Sequence, residues 1–190
     1  MIFRHVLVLL TALVCWGGFT SLATAATWRV DYEKSRIAFS GTHAGTPFSG
    51  RFRTWTADIT FDQDALDKSK VTVRVELGSA ATGNATYDRS LPTADWFNTA
   101  SGATATFVSD KIERVEGGNY VANGTLDMRG VKVPLRLDFD LSITGDKARM
   151  SGRATISRLD FSIGKIADPK GAWVSLEIPV EVDVVATRAP

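Results

Sequence analysis

Over residues 132–143 the chain alternates without a break. Val133, Leu135, Leu137, Phe139, Leu141 and Ile143 fall on one side, and Lys132, Pro134, Arg136, Asp138, Asp140 and Ser142 on the other. Successive strand side chains point to opposite faces of a sheet, so this run predicts a long strand with one dry and one wet face. The same period recurs. Val71, Val73, Val75 and Leu77 alternate with Thr72, Arg74 and Glu76. Tyr120, Ala122, Gly124, Leu126 and Met128 share a face, as do Ala148, Met150, Gly152, Ala154 and Ile156. Val174, Leu176, Ile178, Val180, Val182 and Val184 predict the last strand. Shorter strands are predicted over residues 28–31, 36–41 and 103–108, the last continued by 111–115.

The interruptions carry information too. Residues 42–47 read as a loop. Across 48–61 the phase slips by one: Phe48, Gly50 and Phe52 share a face, then Trp55, Ala57, Ile59 and Phe61 take over. Such a slip predicts a bulge or sharp bend, the device by which a sheet curls. Residues 62–70 are polar and turn-rich. Over 84–98, Tyr87, Leu91, Trp96 and Phe97 are spaced as in short helices, with Thr93 as a cap for the second. Gly117-Gly118-Asn119, Gly130 and Gly145-Asp146 mark turns. The pattern predicts an all-β domain of about eight antiparallel strands, mostly up-and-down, with a short helical insertion near residues 84–98.

An alternating chain folds as a sandwich or a barrel. The phase slip near Arg53 favours strong coiling, hence a barrel. Ala122, Gly124, Gly152 and Ala154 place small residues in the middle of two dry faces. An eight-stranded barrel is either filled by side chains or holds one small ligand. Small interior residues favour the ligand; the alternative is that they face large partners in a filled core. The wet faces carry Arg74, Glu76, Arg136, Asp138 and Asp140, not the apolar outer band of a membrane pore.

Residues 1–25 read as a signal peptide. A basic start at Arg4 and His5 precedes an apolar run, and Ala23-Thr24-Ala25 matches a small-x-small cleavage site. The run is short for a membrane span, and Cys15 follows bulky Val14 where a lipoprotein site needs a small residue. Cleavage after Ala25 predicts an exported, periplasmic chain of one domain, residues 26–190, without cysteine. Lys and Arg total 22 against 21 Asp and Glu, with no basic cluster, which argues against nucleic-acid binding. Beyond the leader, His43 is the single histidine. Thiol catalysis is thereby excluded, a histidine-based metal site is disfavoured, and no G-x-S-x-G nucleophile motif is present. His43 reads as a plain loop residue or as a hydrogen-bonding group at a cavity mouth. These residues argue against a hydrolase and against a metal site.

Four segments resemble the YceI-like family of periplasmic proteins. His43 with Gly50-Arg51-Phe52 resembles that family's "H…G-x-F" stretch. Asp88, Leu91 and Asp95-Trp96-Phe97 resemble its helical segment, and residues 124–131 its "G-x-L-T-x-x-G-V" hairpin. Residues 158–164 are similar to its "R-x-D-F-G-I-G", with Ser162 standing where glycine is usual and Asp127 where threonine is usual. The resemblance implies a lipocalin-like barrel that holds a long amphiphile, a polyisoprenoid, an isoprenoid quinone or a fatty-acid derivative, with no enzymatic activity and no catalytic cofactor. Some members are fused or linked to a membrane cytochrome of the b561 type, so it also implies a functional link of that kind. The expected ligand wall is Phe39, Phe48, Phe52, Leu91, Trp96, Phe97, Phe107, Leu126, Met128, Met150, Phe161 and Ile163, with His43 near the polar head. The rival expectation is a stress-protection or protein-interaction module with a filled barrel. Residues 173–184 carry few gatekeeping charges, which predicts an edge open to pairing in a homodimer.

Overall fold

A computed structural model describes residues 25–190. The signal peptide expected over residues 1–25 lies outside the described residues, apart from Ala25. The strands are β1 (Ala26–Val30), β2 (Arg36–His43), β3 (Thr46–Phe52), β4 (Trp55–Phe61), β5 (Lys70–Glu76), β6 (Ala80–Ala81), β7 (Thr104–Arg114), β8 (Tyr120–Met128), β9 (Val131–Thr144), β10 (Lys147–Ser157) and β11 (Glu177–Arg188). One short helix, α1 (Ala85–Ser90), lies between β6 and β7.

These strands form one antiparallel sheet, closed by pairing of β1 with β11. Three pairs of strands continue one another. Along β11, Val30 of β1 stands opposite Ala186 and Ile37 of β2 opposite Val182. β3 pairs with β2 as β4 pairs with β1, and β6 pairs with β3 as β5 pairs with β4. The result is a closed barrel of eight staves, as the alternation predicts. The phase slip over 48–61 is the joint at Arg53 and Thr54, a bend within one stave. Its amides stay satisfied: Arg53 N donates to the Ser79 carbonyl at 3.2 Å and Thr54 N to Ser79 Oγ at 3.0 Å.

Three local expectations are corrected. Residues 42–47 are not a loop: β2 and β3 run up to a two-residue turn at Ala44-Gly45, with φ of 49° and 79°. A turn with positive φ at both central residues matches the twist of paired strands; polar Thr42, His43 and Thr46 hide the strand from a hydrophobic pattern. As expected, residues 111–115 continue 103–108: both belong to the single strand β7, whose pairing with β8 shifts by one residue between Ser109 and Lys111. The second short helix does not form. α1 is capped by Asn84, whose Oδ1 accepts from Thr86 N at 2.9 Å and Tyr87 N at 3.3 Å, and Pro92, lacking an N–H, cannot prolong it. Thr93 instead donates its hydroxyl to the Ser90 carbonyl at 2.7 Å.

The last strand starts at Glu177, and it has no open edge. β10 covers one side of it, and β2 and β1 share the other. Residues 173–175 leave the strand to meet the β2–β3 turn: Ala44 N donates to the Trp173 carbonyl at 2.7 Å and Ser175 N to the Thr42 carbonyl at 3.0 Å. Gatekeeping charges are scarce there because closure covers both edges. The pairing edge expected for a homodimer is therefore absent.

Inward faces form one continuous core. At one end Trp28, Phe61, Tyr120 and Phe139 meet across the axis, Tyr120 lying 5.7 Å from Phe61 edge-on and 5.4 Å from Phe139 stacked. The opposite end is crossed by the segment around α1 and by the chain between β10 and β11.

Candidate ligand-binding site

Between these ends lies a cavity of about 190 Å³, lined by residues from every stave and by no charged or hydroxyl side chain. The indole N–H of Trp28, on that wall, donates to the Phe61 carbonyl at 3.1 Å. Polar groups on the outer faces pair there with one another: Arg74 with Asp58 at 2.7 Å, Arg136 with Asp138 at 2.6 Å and Arg36 with Asp183 at 2.7 Å.

Of the predicted wall residues, Phe52, Phe107, Leu126, Met128 and Met150 line the cavity. Phe39, Phe48, Leu91, Trp96, Phe97, Phe161, Ile163 and His43 do not; they gather at the end crossed by the helical segment. Phe52 connects the two groups, its ring 5.1 Å from Phe39 and 6.0 Å from Phe97. Phe97, Phe161 and Ile163 are buried, whereas Leu91 and Trp96 are half-buried against the core. His43 shares a 3.2 Å hydrogen bond between its Nδ1 and the Tyr87 hydroxyl, and the Phe48 ring lies 6.1 Å from Tyr87. Trp28, Trp55, Phe61 and Phe139 also line the cavity and are missing from the predicted wall. Their signal was available: each sits in the dry phase of its own alternating run.

The small interior residues divide. Ala122 and Ala154 line the cavity. Gly124 and Gly152 do not leave space. A Cβ on Gly124 would stand 2.3 Å from the Val108 carbonyl oxygen and 2.7 Å from the Phe107 ring; one on Gly152 would stand 3.0 Å from Phe139 Cβ. For these two positions the packed-core alternative holds.

The plug end is organised by polar nodes that hydrophobic patterning does not show. Arg158 is 2% exposed and opens the short helical turn that follows β10, two residues after Ile156. Its guanidinium meets Asp168 Oδ2 at 2.8 Å and donates to the carbonyls of Ile163 at 2.8 Å, Asp168 at 2.9 Å, Val174 at 3.1 Å and Ser175 at 3.2 Å. Asp168 accepts from the amides of Ala172, Trp173 and Val174 at 2.7, 3.1 and 2.8 Å. Burial alone would raise its carboxyl pKa, but these amides and Arg158 together hold it below the usual carboxylate range. Asp95 adds a second node, its carboxylate accepting from Ile166 N and Ala167 N at 2.9 Å each. Arg129, at a φ of 56° in the β8–β9 turn, reaches the carbonyls of Ser162 at 2.5 Å and Ala94 at 2.9 Å. Asp88 accepts from the Thr82 hydroxyl and amide at 2.7 Å each, so its pKa is also lowered. The motif segments thus converge on one end of the barrel, where they fasten the plug.

Known proteins share this architecture. The YceI-like domain matches residues 28–186. A protein of Shewanella baltica named UPF0312 protein is 31% identical over 168 residues, covering 84% of this chain and 88% of its own. A UPF0312 protein of Shewanella oneidensis is 31% identical over 183 residues, covering 91% and 96%. Among solved structures, BcnA of Burkholderia cenocepacia superposes with a TM-score of 0.80 at 24% identity, over 84% of this chain and all of that one. A polyisoprenoid binding domain from Saccharophagus degradans superposes with a TM-score of 0.66 at 16% identity, over 86% and 99%. Domain match, curated relatives and fold agree: the chain belongs to the YceI-like family.

Proposed function

We propose that this protein is an exported, non-enzymatic carrier of a long-chain amphiphile of the polyisoprenoid or isoprenoid-quinone type. The apolar cavity along the barrel axis carries the reading. Apolar cavities of about 150 Å³ stay dry and take up small hydrocarbons, and this one is larger, at about 190 Å³. Each buried methylene contributes about 0.8 kcal/mol before ordering costs. Hydrocarbon contact therefore supplies affinity without an ion pair, and the wall offers nothing to act as acid, base or nucleophile. A prenyl chain longer than the cavity lodges only by displacing part of the plug, which puts its polar head near the half-buried His43 and Tyr87. The polyisoprenoid binding domain of S. degradans gives the ligand class a precedent in the same fold. The leader-like sequence at residues 1–25 supports a periplasmic location, and a quinone cargo would fit a functional link to a membrane cytochrome of the b561 type.

Organic extraction of protein purified from bacterial periplasm, followed by mass spectrometry, tests the cargo. The expected result is a co-purifying prenyl lipid, and a melting temperature that rises when polyprenol or quinone is added. Ala122→Leu with Ala154→Leu fills the cavity and should abolish both effects without lowering the melting temperature of the lipid-free protein. Repeated preparations without lipid, together with no thermal shift, would instead support a filled-barrel interaction module.

A further inference from the structure

We propose that the loop over residues 163–176 docks the plug end of the barrel on an anionic lipid bilayer. The inference rests on the carrier reading, since a cargo of membrane lipid must be collected from a membrane. Its own support is a set of side chains held outward. Ile166 is 85% exposed, Trp173 60% and Leu176 41%. Lys165 and Lys170 are exposed on the same loop. The single carboxylate within 163–176 is Asp168, buried and committed to Arg158 and three amides. Of the bordering carboxylates, Asp160 and Glu177 line a separate depression with Val133 and Thr155, and Asp95 is committed to the amides of Ile166 and Ala167.

Exposed large apolar groups are unfavourable in water, and a slack loop would fold them inward. This loop is not slack. Arg158 ties its two ends through the carbonyls of Ile163 and Ser175, Asp95 holds the amides of Ile166 and Ala167, and the β2–β3 turn holds the Trp173 carbonyl. The frame presents tryptophan, isoleucine and leucine beside lysines. Tryptophan favours the headgroup level of a bilayer, aliphatic side chains favour the acyl boundary, and lysines favour anionic headgroups. A protein partner fits less well, because one loop is far smaller than the 20–30 residues per side of a standard interface.

The test uses protein purified from cells expressing the full chain, with vesicles of equal parts phosphatidylglycerol and phosphatidylcholine. Wild type should co-sediment with them, its tryptophan emission should shift to the blue, and brominated lipids should quench it. Trp173→Ser with Ile166→Ser should weaken partitioning about tenfold or more. Lys165→Glu with Lys170→Glu should weaken it on the anionic vesicles and leave weak binding to pure phosphatidylcholine unchanged. Both variants should keep the wild-type circular dichroism and thermal shift with detergent-dispersed polyprenol. Wild type that ignores vesicles, or an apolar double variant that partitions like wild type, overturns the proposal. A concentration-dependent dimer abolished by Trp173→Ser overturns it too, by assigning the loop to a second copy. Polyprenol binding without vesicle binding refutes docking alone; vesicle binding without polyprenol binding refutes the carrier reading and leaves the docking surface standing.

Discussion

At one end of the barrel, Trp28, Phe61, Tyr120 and Phe139 reach the axis directly from β1, β4, β8 and β9. At the other, Phe97, Phe161 and Ile163 close the core from segments that lie outside the staves. The first closure is made by residues whose backbone is already fixed by the sheet ladder. The second depends on two segments being fastened in place, and the fasteners are polar: Arg158 with Asp168, Asp95 with two amides, Arg129 with carbonyls on both segments. A closure made of packed rings opens only by breaking the barrel. A closure made of a few charge-assisted hydrogen bonds can open while the staves stay paired, and a carrier needs one such end.

The sharpest way to break this contrast is Arg158→Ala. It leaves Asp168 buried without its cation, a change that removes about 3–5 kcal/mol in buried pairs. Denaturant titration should show that loss, with amide exchange rising first over residues 158–176 and last in β8 and β9. Uniform acceleration through all staves would show that the plug and barrel are one cooperative unit. Replacing both partners, Arg158→Met with Asp168→Leu, should restore a large part of the lost stability while loosening the loop, because no uncompensated charge remains.

Acid probes the same node more gently. Asp168 has a lowered pKa in the folded state, so its contribution is fully present above the unfolded carboxylate pKa and is lost as pH falls through the folded value. The amides of Ala172, Trp173 and Val174, which donate to it, should therefore exchange faster as pH drops below the ordinary carboxylate range, after correction for intrinsic rates. Protection that stays constant down to denaturation would remove Asp168 from its role.

On the barrel side the contrast is steric. Gly124→Ala places a methyl group against the Val108 carbonyl oxygen and the Phe107 ring, both on a neighbouring stave. Overpacking of this kind destabilises by about 1–3 kcal/mol, and the denaturation midpoint should fall while plug exchange rates keep their order relative to the staves. Tyr120→Phe is smaller. It removes the hydroxyl that accepts from Arg114 at 2.6 Å but keeps the ring stack with Phe139, so about 1 kcal/mol is expected by the same titration.

The barrel was legible in the sequence because one-sided burial writes a period of two into every stave. That period located Val133 to Ile143, Tyr120 to Met128 and the tail of β11 within a few residues, and it contained most of the cavity wall, Trp55 and Phe139 included; Ile112 lies past the register shift of β7, out of phase with Phe107. It failed where hydrogen bonding, not burial, sets the backbone, as at Thr42, His43 and Thr46. It also failed to separate Ala122, which lines space, from Gly124, which seats a ring, because that difference lies in the neighbouring stave. Arg158 did leave a trace, a charge two residues beyond Ile156, where the alternation would put an inward apolar residue. Asp168 left none: it sits between loop residues, and its meaning comes from amides brought to it by the fold. The plug was visible as the helical spacing of Tyr87, Leu91, Trp96 and Phe97 and as the resemblance of four short motifs, without the contacts that join them.

The smallest expected effect tests how well the plug is built. Ser162 ends a short helical turn at φ 57° and ψ 27°, the left-handed region, where the family pattern has glycine. A side chain there is disfavoured by roughly 1–2 kcal/mol, and glycine's added freedom in the unfolded chain gives back about 0.5–1 kcal/mol of that difference. The hydrogen bonds of this residue are made by its backbone: its amide donates to the Arg158 carbonyl and to the Leu159 carbonyl, the latter at 2.9 Å, and its carbonyl accepts from Arg129 at 2.5 Å. Ser162→Gly keeps them. It should raise stability by a few tenths to about 1 kcal/mol, visible as a melting-temperature increase of a few degrees at most, and slow exchange over 158–176 without altering the staves. A decrease would mean that the serine side chain itself serves the plug, and that this chain departs from the family pattern for a reason located at the plug end.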